Sequence, residues 1–467
     1  DETGRVVPFR GRPMTHAQSM SQLAHRNATN KRAGGNVSKS VGRKRKQDGS
    51  SQRGDTGRHQ DKRTFVNLNH YRTIPSVIQV AFEHQLLSPQ NTAAVWTRLS
   101  QLLRASNHLD HNALQHCQLG HKLDTLFDRT IDGLKRYGPI HLNETALSMA
   151  KIIKTVSNSS RRNANHQQQM FYDALIGRNM ERKGDLFQAI ASAAVPLLPR
   201  FDPRGYSNLA NALAIADEVP TFRGKTLLGH IANSVISIEH LNAFNPQDFA
   251  NLVWAFATTR ASKTRLFDKV AYEMIAYRNL RSFKPQELTN IVWAFATAKV
   301  SDCELFEKVA VEVARRDQGS LDCQNLANIS WAYASMGHVD SLVFCALAPR
   351  VFALLYQCNY QELTNIAWSY AVANVDAHAL FNGHFIDVLL EKMDSLNVAH
   401  LSQLYQWHLW QKEEKSNTGL PSALEKKCYE AFVSDTIYVS ALQRDVVSVL
   451  RSIGLNPREE HLTRKGY

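Results

Sequence analysis

A block of 14 residues occurs four times in this sequence and constrains the fold more than any other feature. The copies begin at Phe244, Phe283, Leu321 and Cys358, and each carries a glutamine, an asparagine, a tryptophan and a closing alanine at fixed positions. The shared asparagines lie 39, 38 and 37 residues apart: Asn251, Asn290, Asn328 and Asn365. A self-similar period of this size indicates a repeat architecture.

Each block has the pattern of an amphipathic helix. In the second copy, four apolar residues fall at i, i+3, i+4 and i+7 on one face: Leu288, Ile291, Val292 and Phe295. The opposite face carries Gln286, Asn290, Trp293 and Thr297. A helix with apolar residues on one side and a tryptophan on the other is expected to be covered on both sides. Pro285 stands at the entry, where its missing N–H costs nothing.

A second helix is predicted after each block. These segments share a phenylalanine (Phe267, Phe306, Phe344 and Phe381) and are joined to the first helices by short connectors. Two helices and two short loops use up the period, and such a unit cannot bury its own apolar face. Neighbouring units must therefore stack, which predicts an all-α solenoid of helix-pair repeats of about 38 residues.

The repeated pattern Pro-Gln-Glu-Leu-x-Asn-x-x-Trp-Ala-x-Ala resembles the octotricopeptide repeat. It is also similar to the leucine-rich helical repeats of FAST-kinase-like and RAP-domain proteins. The likeness is strong over residues 244–371, and the tetratricopeptide signature is absent. This resemblance implies an organellar RNA-binding protein acting in RNA stability, processing or translation, with the mitochondrial matrix favoured over the plastid stroma.

The chain outside the main array divides into three further parts. Residues 1–63 hold about 15 basic and 5 acidic side chains, most of the net charge of +13, and we expect a disordered basic tail. Within it, Arg43, Lys44, Arg45 and Lys46 are candidates for RNA phosphate contacts; a nuclear address or a solvated linker are the alternatives. Residues 64–200 read as degenerate helical repeats that lead into the solenoid at 201–410.

Two blocks at the ends of the array depart from the pattern. Phe201–Ala214 aligns without gaps, but Asn211 takes the tryptophan position and Asn208 precedes Asn251 by 43 residues. Residues 411–467 read as a linker and C-terminal helices that resemble the lead-in to a RAP domain. The domain itself is absent from this chain, which starts at Asp1, and we expect it to be part of a longer one.

No motif for catalysis is found. Phosphate-binding Gly loops, nucleophile elbows and kinase motifs are missing, so we predict a non-enzyme without cofactors. The six scattered cysteines favour buried free thiols over disulfides. One segment is rich in possible zinc ligands, but its spacing favours surface histidines, and no metal site is predicted: His108, His111, His116, Cys117 and His121. No stretch is long enough for a membrane helix.

The recurrent asparagines and tryptophans have two interpretations. They could bind and stack on bases, or they could join and fill the stack. Because a base-reading position should vary between units, the structural interpretation is favoured. Variable neighbours are the better candidate readers of RNA: Glu287, Asn325, Thr289 and Thr364. Basic residues near the connectors are candidates for phosphate contacts: Arg260, Lys263, Arg265 and Lys299, with Lys308, Arg315 and Arg316 beyond them.

Three functions remain open from the sequence. The first is binding of single-stranded RNA along the solenoid, with the tail adding phosphate attraction. The second is a protein-binding scaffold of a ribonucleoprotein or ribosomal particle, favoured by the nearly neutral repeat region. The third is a nuclease whose catalytic domain lies beyond Tyr467.

Overall fold

The computed structural model describes residues 67–83, 88–105, 117–159, 182–261, 264–339, 341–413, 419–434 and 441–455. These residues form an all-α protein built from helix pairs, as the sequence predicts. The basic tail, including Arg43–Lys46, lies outside the described residues, as do Lys263, most of the histidine-rich segment and the final residues.

The first helices of the pairs are α2 (Pro89–Ala105), α4 (Pro139–Ser159), α6 (Pro203–Ala216), α8 (Pro246–Thr258), α10 (Pro285–Ala298), α12 (Cys323–Ser335), α14 (Tyr360–Ala373) and α16 (Val398–Glu413). Their second helices are α3 (Cys117–Gly133), α5 (Lys183–Ala194), α7 (Leu227–Ile236), α9 (Thr264–Tyr277), α11 (Cys303–Arg315), α13 (Ser341–Leu354), α15 (Gly383–Glu391) and α17 (Ser422–Ser434). Helix α1 (Ile74–Glu83) precedes the first pair, and α18 (Ala441–Ser452) is the last described helix. Short 3₁₀ turns are Leu68–His70, Leu134–Arg136, Val195–Arg200, Leu280–Ser282, Gln318–Ser320, Leu355–Gln357 and Met393–Ser395.

Packing divides the chain into two units, with the boundary between Lys308 and Val309 inside α11. In the first unit, α2 packs on α4, α4 on α6, α6 on α8 and α8 on α10. In the second unit, α12 packs on α14, α14 on α16 and α16 on α17. Within each of these two units, the first helices of successive repeats therefore lie side by side, as a stack of repeats requires. The sequence-derived domain boundaries at 200 and 410 stay predictions.

The predicted apolar face is buried. In α10, Leu288, Ile291, Val292 and Phe295 are at most 1% exposed, while Trp293 on the opposite face is half-buried. Three other recurrent tryptophans lie in the core: Trp254, Trp331 and Trp368. The tryptophan position is thus largely covered by the protein, which supports its structural interpretation.

Two local differences from the repeat have clear causes. The longer link after α6 holds a hairpin, β1 (Thr221–Phe222) paired antiparallel with β2 (Lys225–Thr226), which takes up the extra residues before α8. Its turn has positive φ at Arg223 and Gly224, as a two-residue hairpin loop requires. Phe381 was predicted inside a second helix, but α15 starts at Gly383; the Phe381 ring packs on Tyr370 and Trp407 instead.

The cysteines and the helix lengths agree in part with expectation. Cys323, Cys358 and Cys428 are buried free thiols, whereas Cys303 and Cys345 are exposed, which the sequence did not predict. Within the described ranges, none of the helices combines the length and the apolar character that crossing a bilayer demands.

Candidate nucleic-acid interface

Five first helices end in the same way. The residue nine positions after the recurrent asparagine has a positive φ and closes the helix: Asp217 (φ 55°), Arg260 (53°), Lys299 (56°), Gly337 (71°) and Asn374 (52°). In each case its N–H donates to the carbonyl three residues earlier, and the next N–H donates to the carbonyl five residues before that next residue. This is the hydrogen-bond pattern of a Schellman-type stop. The backbone conformation of the turn is the same in all five helices, whereas the side chain at the positive-φ position differs from repeat to repeat.

Arg260 and Lys299 occupy this position in neighbouring units. Helices α8 and α10 pack side by side, and axes of packed helices are about 8–10 Å apart. Both side chains are exposed, and neither makes an ion pair with any residue that the structure describes. Arg265, in the first turn of α9, is also exposed. The structure thus brings these three predicted cations to one edge, where first helices end and second helices begin, whereas Lys263 lies outside the described residues.

The side chains of the predicted readers Glu287 and Asn325 each hydrogen-bond to the residue just before their own helix. Both are the third residue of their helix. The Glu287 carboxylate accepts the Lys284 N–H at 2.7 Å, and the backbone N–H and side-chain amide of Asn325 donate to Oδ1 of Asp322 at 2.8 and 2.7 Å. Asp248 and Glu362 accept the N–H of their N-cap residue as Glu287 does, and each closes a capping box. The acidic residues at this position thus cap the helix through their carboxylates, whereas the Asn325 amide hydrogen-bonds to the capping Asp322.

The predicted readers Thr289 and Thr364 are buried. They are 1% and 0% exposed. The Thr289 hydroxyl donates to the Pro285 carbonyl at 2.9 Å, and the Thr364 hydroxyl donates to the Gln361 carbonyl at 3.2 Å. The equivalent residue two repeats before Thr289, Ser207, donates to Oδ1 of Asp248 at 3.1 Å. Small hydroxyl residues suit a position closed by the next helix, so these side chains offer no surface to a base.

Several cations of the second helices bond to the preceding unit. Lys269 donates to the Glu239 carbonyl, and Lys308 donates to the Ile275 carbonyl at 2.6 Å. Arg350 donates to the carbonyls of Ala314 and Arg316 at 3.3 and 2.5 Å. These carbonyls lie at or just beyond the C-terminal ends of second helices, where acceptors lack helical partners. We name these three side chains the cross-unit cations.

Two of the basic residues that were predicted to contact phosphate are engaged by other groups of the protein. Lys308 was predicted to contact phosphate, but its ammonium is held by the protein, and Arg316 pairs with Glu312 at 3.0 Å. Arg315 stays exposed. One sequence signal could have found part of this set, because Lys269 and Lys308 each stand two residues after the phenylalanine of the second helix.

The recurrent asparagines lie at the rim of the contact between first helices. Asn251, Asn290, Asn328 and Asn365 are all half-buried. Oδ1 of Asn365 accepts a hydrogen bond from Nε2 of Gln403, the equivalent residue of the next unit, at 3.1 Å. The amide therefore joins neighbouring helices here, although it does not lie fully inside the core.

One buried cluster could hold a metal. The ligand atoms of Cys323, Cys358 and Glu362 lie within 4.8 Å of one another between α12 and α14. Among the described residues, this is the group of His, Cys, Asp and Glu side chains whose ligand atoms lie close enough together to hold one ion.

Comparison with known families gives one match. The family model for the RNA-editing substrate-binding complex 6 protein matches residues 226–412, from the start of α7 to the last turn of α16. The chain is thus similar to an RNA-associated family of helical proteins over the segment that carries Arg260, Arg265 and Lys299. No curated protein matches the chain significantly.

Proposed function

We propose that this protein is an RNA-binding subunit of an organellar ribonucleoprotein that acts in RNA editing or processing, in the mitochondrial matrix. The observation that carries the proposal is the match of residues 226–412 to a family named for an RNA-editing substrate-binding complex. The resemblance of the repeat pattern to organellar RNA-binding proteins supports the same class. The protein would act by binding RNA and not by cleaving it.

The binding edge proposed here consists of Arg260, Arg265 and Lys299. Their exposure and the absence of ion pairs to described residues leave their charges free for phosphate, unlike the cross-unit cations. A positive φ at Arg260 and Lys299 fixes where each side chain leaves the helix end. Single-stranded RNA that runs along this edge would meet Arg260 and Arg265 in one repeat and Lys299 in the next, and phosphate contacts of this kind position the strand without reading its sequence.

The test measures binding of the full chain to a mixed-sequence single-stranded RNA over a series of salt concentrations. The double variant Arg260→Asn and Lys299→Asn removes both charges while keeping a residue that tolerates positive φ, since Asn374 occupies this position in another unit. Loss of two phosphate contacts should lower the slope of log K against log salt by about 1.4, at about 0.7 per contact on a single strand.

Lys284→Asn is the matched control. Lys284 is exposed at the opposite end of α10 from Lys299, about 21 Å away for a helix of this length. This variant should bind RNA like the unmodified chain. Equal slopes for all three proteins would overturn the proposed edge. Retained binding that disappears when Arg43, Lys44, Arg45 and Lys46 are replaced by alanine would assign the contact to the tail. RNA recovered intact after incubation is the result expected of a protein that only binds.

A protein-binding scaffold is the second candidate, and one observation favours it. Tyr272 and Tyr277 on α9 are 55% and 49% exposed, with their hydroxyl oxygens 3.2 Å apart and their rings edge to face. Exposed tyrosines are common anchors at protein interfaces. If defined subunits of the same ribonucleoprotein stay bound to the chain after RNase treatment and are lost with Tyr272→Ser and Tyr277→Ser, the scaffold role is supported.

A further inference from the structure

Two cysteines and a glutamate from two successive repeats lie close together in the part of the chain after Lys308. Cys323 is the first residue of α12, Cys358 precedes α14, and Glu362 is the third residue of α14. Their exposed fractions are 2%, 1% and 7%, and their ligand atoms all lie within 4.8 Å of one another. Because α12 and α14 pack side by side, the start of one first helix contacts the start of the next.

Both cysteines depart from the repeat of this chain itself. The position of Cys323 holds proline at the start of three other first helices: Pro203, Pro246 and Pro285. The position of Cys358 holds Phe244, Phe283 or Leu321 in other copies of the block. An apolar residue therefore satisfies the packing at each place. Two thiols replace the usual residues at positions that meet in space, so packing alone does not account for the pair.

The glutamate is oriented by its own helix. Oε2 of Glu362 accepts the Asn359 N–H at 2.8 Å, which fixes the direction of the carboxylate. A hydrogen bond of this kind is what holds a ligating carboxylate in metal sites. The Leu354 carbonyl oxygen lies 3.7 Å from Cys323 Sγ and is a further possible oxygen ligand beside the cluster.

We propose that Cys323, Cys358 and Glu362 bind a thiophilic divalent cation, with zinc the best fit, that fastens α12 to α14. Two thiolates and a carboxylate are ligands that zinc accepts, and the Leu354 carbonyl or a water completes four-coordination. Magnesium and calcium prefer oxygen ligands only. Tetrahedral zinc–sulfur bonds of about 2.3 Å place two sulfurs about 3.8 Å apart. Rotation of the cysteine side chains would bring the sulfurs to this distance from a separation of at most 4.8 Å.

Binding is balanced by proton release. Each thiol gives its proton to solvent and its sulfur lone pair to the cation, while Glu362 binds as the carboxylate. Three negative ligands and one divalent cation leave a net charge of −1. No electron is transferred, so the step needs neither an oxidant nor a reductant. Because two protons leave, the apparent zinc affinity should fall as the pH is lowered.

The test uses the full chain, reduced and stripped with a chelator, and titrated with cobalt(II). Thiolate ligation gives a near-ultraviolet charge-transfer band, expected to saturate at one cobalt per chain and to disappear when zinc is added. Zinc should also raise the melting temperature. This inference concerns structure and does not depend on RNA binding, so the two proposals can fail separately.

Cys323→Pro is the decisive variant because it restores the residue found in three other units at a position where proline is tolerated. It should fold, and it should show neither the cobalt band nor the zinc-dependent shift. Cys345→Ser is the matched control, since Cys345 is an exposed thiol of the same unit outside the cluster; it should retain both signals. Equal zinc shifts in Cys323→Pro and the unmodified chain, absence of the band, or a Cys323–Cys358 disulfide that zinc does not prevent would overturn the proposal.

Discussion

Nε2 of Gln403 donates a hydrogen bond to Oδ1 of Asn365 at 3.1 Å, and the two residues hold the same position in successive units. One turn further, Nε1 of Trp368 donates to Oε1 of Gln406 at 3.2 Å. The polar residues of the recurrent block thus link α14 to α16 side by side. A residue that hydrogen-bonds to its equivalent in the next repeat is constrained in type, which favours an amide side chain at this position in α14 and α16.

Removal of this link should weaken the second unit. Gln403→Ala and Asn365→Ala are each expected to lower the free energy of unfolding by about 1 kcal/mol, the net worth of a part-buried hydrogen bond. Urea unfolding of the two single variants and the double variant forms a double-mutant cycle, in which the coupling energy should be about 0.5–1.5 kcal/mol. Strictly additive effects would show that the amides do not stabilise each other.

Gly419 should not tolerate a side chain. Its φ is +67°, and an added Cβ would lie 2.4 Å from Nδ1 of His408, which accepts the Leu420 N–H at 2.8 Å. Gly419→Ala should therefore cost several kcal/mol, about 1 of them from the backbone conformation. Gly337→Ala is the matched control: φ is +71°, but no atom lies within 4 Å of the added Cβ. It should cost about 1 kcal/mol. Melting temperatures that fall equally would contradict the steric argument.

The repeat made the helices predictable. The period and the apolar spacing together placed α8, α10, α12 and α14 and the burial of their inner faces, because these features occur in every copy. Of these four helices, α8 and α10 also begin with proline. The divergent block at Phe201–Ala214 also forms a first helix, α6, with Asp202 accepting the Gly205 N–H at 2.6 Å. Local cap chemistry is thus kept where the tryptophan is lost.

The site residues were less predictable because variation has more than one cause. Glu287 and Asn325 vary in type, yet each side chain hydrogen-bonds to the residue just before its own helix, a contact that several polar residues can make. Thr289 alternates with alanine because both are small enough to be buried there. Contacts between residues that are far apart in the sequence were not predictable either. Arg350 contacts carbonyls more than 30 residues away, and Cys323 lies close to Cys358 of the next repeat. No local motif marks such contacts.

Arg350 should contribute more stability than Lys308. Arg350 is buried and donates to three carbonyls, including that of Ala346 in its own helix at 3.0 Å, while desolvation lowers the pKa of its guanidinium. Arg350→Ala removes three part-buried hydrogen bonds of a charged donor and should cost about 2–4 kcal/mol. Lys308 makes one hydrogen bond and an ion pair with Glu304 at 3.9 Å, both at an exposed site, so Lys308→Ala should cost less than about 1 kcal/mol. Chemical unfolding of the two variants measures the difference, and equal losses would refute the assignment of Arg350 as an internal tie.

The last capping box of the array contains a histidine, which should make stability depend on pH. Nδ1 of His400 accepts the Asn397 N–H at 3.2 Å, and the His400 N–H donates to Oδ1 of Asn397 at 3.0 Å. Burial lowers the pKa of His400 to about 4 from its ordinary 6.5. The unfolded chain therefore takes up a proton between these values that the folded chain excludes. The stabilisation is fully present above pH 6.5 and is lost as pH falls toward 4, at most about 3 kcal/mol in total.

His400→Gln should remove this dependence and keep the cap, because a glutamine oxygen at the third helical position can accept the same N–H. Melting temperatures between pH 7 and 4.5 should fall less steeply in this variant than in the unmodified chain. His384→Gln is the matched control: its ring is exposed in α15, and the slope should not change. Should His400→Gln and the unmodified chain lose stability in parallel, the acid sensitivity belongs to other groups. Protonation of Nδ1 removes the lone pair that the Asn397 N–H requires, so the capping box and the charge cannot coexist at this residue.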